Sequence, residues 1–133
     1  MSGWDAYITT LIESNDGIRR AAIVGAADGA VWAKSQGGDR EFRATDAELS
    51  NLVKAFGDIT SIPTTGTDLE GVHYVVPRAE DNVIFGKKGK QGIVAMKTSS
   101  ALLVAVFEGE AAAGSACRTA VEKLGNYLIE SGY

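Results

Sequence analysis

GVHYVVPRAEDNVIFGKKGKQGIVAMKTSSALLVAVF, residues 71–107, is the stretch that decides the fold. Its β-branched and aromatic residues come in short runs. Between the runs stand Ala79-Glu80-Asp81, Lys88-Gly89-Lys90-Gln91 and Ser99-Ser100, groups suited to tight connections. The pattern predicts antiparallel strands over Gly71 to Arg78, Asn82 to Lys87, Gly92 to Thr98 and Ala101 to Phe107, within a meander spanning residues 67–107. Composition and turn signals leave the register open by a residue or two.

Toward the N-terminus, DITSIPTTG (58–66) is either a loop or a short irregular helix around Pro63. Before it, Thr45 with Glu48 three residues on forms a capping-box pattern, and Leu49, Leu52, Val53 and Phe56 follow at helical spacing up to Gly57. The glycine-rich, polar run from Ser35 to Arg43 is loop. Strands are expected over Arg20 to Val24 and Ala30 to Lys34. Asp28-Gly29 between them signals a tight type I′ hairpin, whose two central residues need positive φ. Trp4, Tyr7, Ile8, Leu11 and Ile12 recur as one face of a first helix, with Ser2 as N-cap and Asn15-Asp16-Gly17 as stop. Beyond the meander, Glu110 and the following alanines open a last helix. Its apolar stripe is Cys117, Ala120, Val121, Leu124, Tyr127 and Leu128, and Gly132 sits past its end. The result is an α+β domain built on one antiparallel sheet, a single unit over residues 1–133, whose helices must bury their stripes on that sheet.

Composition removes several classes of function. The 133 residues, 45% hydrophobic and 23% charged, match one ordinary globular domain. No apolar run approaches the roughly 20 residues that span a bilayer, and MSGWDAYITT lacks the features of a signal peptide, so a cytosolic protein is expected. A formal charge of −4 argues against nucleic acid as a partner. Lys87, Lys88 and Lys90 form the one concentrated basic patch, which reads either as a solvated turn or as a contact for an acidic partner. Cys117 is the single cysteine, which excludes an intramolecular disulfide and a thiolate zinc cluster; a buried, inert thiol is expected. His73 is the single histidine, so neither a catalytic triad nor a histidine-rich metal site can be assembled. No catalytic residue, metal or cofactor is expected.

The aromatic residues carry the positive signal. Trp4 and Tyr7 lie one helical turn apart, Trp32 rides on the second strand, and Tyr133 is the last residue of the sequence. Packing of both end helices on the same face of the sheet would bring Trp4, Tyr7 and Tyr133 together. An aromatic floor with hydroxyl and indole N–H groups at its rim suits a proline-rich peptide, whose polyproline II ridges fit between rings and whose carbonyls accept hydrogen bonds.

These segments resemble the profilins, small actin-monomer-binding proteins of the eukaryotic cytosol. The resemblance runs end to end and rests on Ser2-Gly3-Trp4-Asp5-Ala6-Tyr7, on Asp28-Gly29 leading into Val31-Trp32, on the Thr45 to Phe56 helix, and on the last helix with Tyr127-Leu128 and Tyr133. Thr9 stands where family members often carry an acidic residue or Gln, and Tyr127 where some carry a histidine. The resemblance implies a central antiparallel sheet with the N- and C-terminal helices on one face and a shorter middle helix on the other. It implies a groove for proline-rich segments of actin nucleation or elongation factors, formed by Trp4, Tyr7, Trp32, Tyr127, Leu128 and Tyr133. Actin contacts map to Val53, Lys54, Lys87, Lys88, Ala112, Ala113, Gly114, Arg118 and Lys123. It further implies a monomer associated with the cytoskeleton, promotion of nucleotide exchange on actin, and binding to phosphoinositide headgroups. A dimeric α+β scaffold or ligand-sensing domain would give a similar coarse pattern and stays open from sequence alone.

Overall fold

The computed structural model describes residues 4–14, 17–80, 82–109 and 111–133. In chain order the elements are α1 (Trp4–Ser14), β1 (Ile18–Gly25), β2 (Val31–Lys34), α2 (Asp46–Ala55), α3 (Ile62–Thr65), β3 (Thr67–Leu69), β4 (Val72–Glu80), β5 (Val83–Lys88), β6 (Gln91–Lys97), β7 (Ala101–Glu108) and α4 (Ala111–Glu130), with short 3-10 turns at Gly38–Arg40 and Phe56–Asp58. The strands form one seven-stranded sheet in the order β2-β1-β7-β6-β5-β4-β3. Every neighbouring pair is antiparallel.

β7 explains the layering. Ala101 to Phe107 reads ALLVAVF without polar alternation because both sides of the strand are covered, and each of these residues is buried. On one face, Leu103, Ala105 and Phe107 pack with Ile23, Val94 and Met96 under α1 and α4, which contribute Ile8, Leu11, Val121 and Leu128. On the other, Leu102, Val104 and Val106 pack with Val24 and Ile93 under Leu49 and Leu52 of α2 and Ile62 of α3. The terminal helices therefore share one face and the middle helix takes the other, as expected. β1 inserts beside β7 with Ala22 opposite Val104.

Several local expectations change. Asp28-Gly29 does not form a type I′ turn. Among non-glycine described residues only Glu70 has positive φ, so Asp28 lacks the conformation that turn needs. The chain instead makes a wider loop, closed by Gly29 N–H to Gly25 O at 2.9 Å and Gly25 N–H to Ala30 O at 2.8 Å, with Asp28 Oδ1 accepting from Ala30 N–H at 3.0 Å. The type I′ pattern appears at Glu70-Gly71, where φ is 54° and 76° and Leu69 pairs with Val72. That hairpin adds β3, a strand of three residues outside the expected set. Ala79, Glu80 and Lys88 belong to strands rather than turns, and the β5–β6 connection contracts to Gly89-Lys90 between the paired Lys88 and Gln91. Ser2, Asn15, Asp16, Asp81 and Glu110 lie outside the described residues.

Two helix ends foreseen from sequence are built as local chemistry dictates, whereas α2 gives way after Ala55 to the 3-10 turn Phe56–Asp58 instead of running to Gly57. Thr45 Oγ1 accepts from Glu48 N–H at 3.1 Å while Thr45 N–H donates to Glu48 Oε1 at 2.8 Å, completing the capping box of α2. At the end of α4, Gly132 has φ of 96°; its N–H donates to Ile129 O at 3.1 Å and that of Tyr133 to Leu128 O at 2.8 Å, a Schellman motif.

Candidate functional site: an aromatic groove between the terminal helices

Trp4 opens α1 and lies at the centre of a ring cluster. Its centroid is 5.1 Å from Trp32, 5.0 Å from Tyr133 and 5.7 Å from Tyr7, and Tyr7 continues to Tyr127 at 6.0 Å. These separations and the tilted or edge-on ring planes are those of favourable aromatic pairs. The placement follows from the fold. α1 packs across β1 and β2, so Trp4 meets Trp32 on the edge strand, while α4 runs beside α1 and contributes Tyr127. Gly25 leaves the room Trp32 needs, since a Cβ there would stand 3.2 Å from the indole nitrogen.

Tyr133 is held rather than left to fray. Beyond the Schellman motif, its main-chain oxygen accepts from Ser100 N–H at 2.5 Å and from the hydroxyls of Thr98 and Ser100, each at 2.9 Å. The β6–β7 turn thus fixes the ring against Trp4. Tyr127 and Tyr133 remain 52% and 44% exposed and Trp4, Tyr7 and Trp32 are partly buried, so five rings face solvent together. The Tyr7 phenol is held above its ordinary pKa, first by its hydrogen bond to Tyr127 and then by desolvation and the neighbouring tyrosines. It stays protonated and able to donate.

Leu128 departs from its expected place. It has no exposed surface and belongs to the core beneath the rings, because it falls on the α4 stripe of Val121 and Leu124 that faces the sheet. Lys123 also moves. One helical turn before Tyr127, it shares that residue's face and lines a mainly apolar cleft of about 350 Å³ between α1 and α4, with Tyr7, Thr10, Ser14, Ala120 and Tyr127. Thr10 and Ser14 were not anticipated, and Ala120 was expected only in the apolar stripe of α4, although their spacing of three, four or seven residues from the groove tyrosines and from one another would have found them. Thr9 is exposed, with its hydroxyl on Asp5 O.

The other candidates spread over three elements, α4, β5 and α2. Ala112, Ala113, Gly114 and Arg118 lie in the first half of α4. Gly114 is buried against Phe85 and Phe107, where a Cβ would meet ring atoms at 3.1 and 3.2 Å, so it permits close packing and offers no surface of its own. Arg118 is engaged by Glu80 at 2.7 Å and Glu122 at 2.6 Å. Lys87 extends its ammonium over the Phe107 ring at 5.4 Å, whereas Lys88, on the opposite face of β5, is exposed. Val53 is half-buried against the core under α2, and Lys54 beside it is exposed. Opposite Lys87 stands Val75, 61% exposed, an apolar surface residue that sequence reading passed over as an ordinary strand position. His73 Nδ1 lies 2.6 Å from Asp68 Oδ1, both exposed. Cys117 is wholly buried, and burial pushes its thiol pKa up to about 12.

An antiparallel sheet clasped by terminal helices on one face, with exposed aromatic rings in the seam between them, defines a small α+β domain with an open aromatic groove. A profilin family model matches residues 2–133, and the chain belongs to the profilin family. It is 50% identical to Profilin-1 of Caenorhabditis elegans over 133 residues, all of both chains. The solved structure of Acanthamoeba castellanii profilin IB superposes with a TM-score of 0.85 at 39% identity, covering 98% of this chain and 100% of that one. Mouse profilin IIa, solved in complex with a double repeat from the FH1 domain of mDia1, shares the fold with a TM-score of 0.72 at 23% identity, covering 99% and 100%.

Proposed function

We infer that this protein binds monomeric actin and, at a separate place, proline-rich segments of factors that nucleate or elongate filaments, and so regulates actin polymerisation. The observation that carries the peptide half is the Trp4 ring in contact with Trp32, Tyr7 and Tyr133 while the cluster stays open to solvent. A mouse relative solved with an FH1 repeat supports a peptide ligand for this fold. Trp4, Tyr7, Trp32, Tyr127 and Tyr133 are the groove residues, and Leu128 holds them from below. The actin half follows from family membership. Its surface comprises the exposed Lys88, Lys54 and Val75, with Lys87 and the first turns of α4. A dimeric sensor is not favoured once the family is known.

The work done is binding, with no bond made or broken. A cytoplasmic, cytoskeleton-associated location, promotion of nucleotide exchange on actin and contact of the Lys87-Lys88-Lys90 patch with phosphoinositide headgroups complete the reading. The wild type should be retained on polyproline resin, and Trp4→Ala should bind decaproline about tenfold more weakly, as expected for a central interface aromatic. Titration followed by tryptophan fluorescence checks it, through Trp32 in the variant; unchanged affinity would remove the groove assignment.

A further inference from the structure

The seam between α1 and α4 does not end at the Tyr7–Tyr127 pair. Both rings also line the adjoining cleft, whose walls are Thr10 and Ser14 of α1 and Ala120 and Lys123 of α4, over Leu11 and Leu124. Lys123 is the one charged residue in that lining. It is exposed and makes no ion pair among the described residues, while the neighbouring Glu122 is engaged by Arg118. An apolar slot with a single free ammonium at its rim, continuous with an aromatic floor, has a defined complement: one bulky apolar side chain followed by a carboxylate. A plain proline run would fill neither. We propose that this cleft is a specificity subsite, and that the preferred ligand is a proline-rich segment flanked at one end by a large apolar residue and an acidic one, with Lys123 reading the acid.

This rests on the peptide-groove reading above, and the test separates the two. Decaproline is compared with decaproline extended by Leu-Glu or Leu-Lys, at either end, in fluorescence titrations at low salt. At one end the Leu-Glu peptide should bind about three- to fivefold more tightly than the Leu-Lys peptide, the scale of an exposed ion pair. In Lys123→Glu that preference should invert. The ratio is measured within each protein, so a change in overall affinity does not disturb it. Equal affinity of the extended peptides at both ends, with decaproline still bound, overturns the subsite alone. A preference that survives Lys123→Glu overturns the role of Lys123. Failure of decaproline itself to bind removes the groove, and the subsite with it.

Discussion

Tyr7 is the groove side chain whose ionisation its aromatic neighbours shift. Hydrogen bonding with the neighbouring Tyr127 hydroxyl is the largest cause of its raised pKa, ahead of desolvation. Because the proton is held more tightly in the folded chain, the associated stability is fully present below the ordinary tyrosine range and is lost as pH rises through the shifted value. Tyr127→Phe removes the partner hydroxyl, so Tyr7 should ionise closer to its ordinary value, and a residue-resolved NMR titration of the Tyr7 ring, which separates it from the also-raised Tyr74, should show its midpoint moving down. No movement would mean that the two hydroxyls do not pair in solution. The site was legible at this scale to different depths. Trp4, Tyr7 and Tyr127 could be placed from helical spacing, because a ring on one face of a helix keeps its neighbours at three and four residues. Leu128 could not. Adjacent residues on a helix differ by a large rotation, and only the packed position of α4 tells that Tyr127 faces out while Leu128 faces the sheet.

Among the elements, α2 is secured by more than its capping box. Glu48 Oε1 accepts from Thr45 N–H and also from Glu70 N–H at 3.0 Å, while Oε2 accepts from Gly71 N–H at 2.8 Å. One carboxylate therefore caps the helix and fixes the β3–β4 turn, whose Glu70 sits at a φ disfavoured for any residue with a Cβ. Glu70 in turn accepts from Arg20 Nε at 2.9 Å and from Arg43 N–H at 2.8 Å. Thr45→Ala should cost about 1 kcal/mol, the ordinary value of a lost N-cap. Glu48→Ala strands three backbone donors and should cost about 2 to 3 kcal/mol, measured by chemical denaturation. Equal costs would show that the turn is held without Glu48. This tie also explains why β3 escaped sequence reading. Glu-Gly carries no turn signal by itself, and the conformation exists because partners distant in sequence supply its hydrogen bonds. The capping box, by contrast, is complete within four residues and was fully visible. The C-terminal cap of α4 couples an element to the site, since Gly132 in the left-handed region lets Tyr133 turn back onto Trp4. Gly132→Ala should cost about 1 kcal/mol of stability and weaken decaproline binding in the same variant. Lost stability with undiminished binding would separate Tyr133 from the groove.

For the whole molecule, the question is whether its two binding regions act independently. The groove rings are anchored to the core under α1 and α4, and Lys88, at the end of β5 and on the same strand face as Ile84 of the core under α2, lies on the α2 side of the sheet. Between them run β7 and β6, paired residue for residue from Gln91 with Glu108 to Lys97 with Leu102 and buried on both faces over most of their length. Coupling between sites requires an element with two alternative arrangements that both ligands bias. A continuous ladder closed on both sides by packed side chains offers none, and α4, which carries residues of both regions, is one unbroken helix from Ala111 to Glu130. The two ligands should then bind additively, and the protein's effect on filament growth should come from holding both at once, where tethering raises the local concentration of actin. Lys88→Glu should accordingly weaken actin sequestration in pyrene-actin polymerisation assays by roughly tenfold, as expected where a charge facing an acidic partner is reversed. Its decaproline affinity should stay within about twofold of wild type, the spread tolerated for distant, uncoupled sites. Trp4→Ala should give the converse pattern. If each variant lost both ligands while unfolding at the wild-type denaturant concentration, the sheet would have to transmit a change of state between its ends, and independence of the two faces would fall.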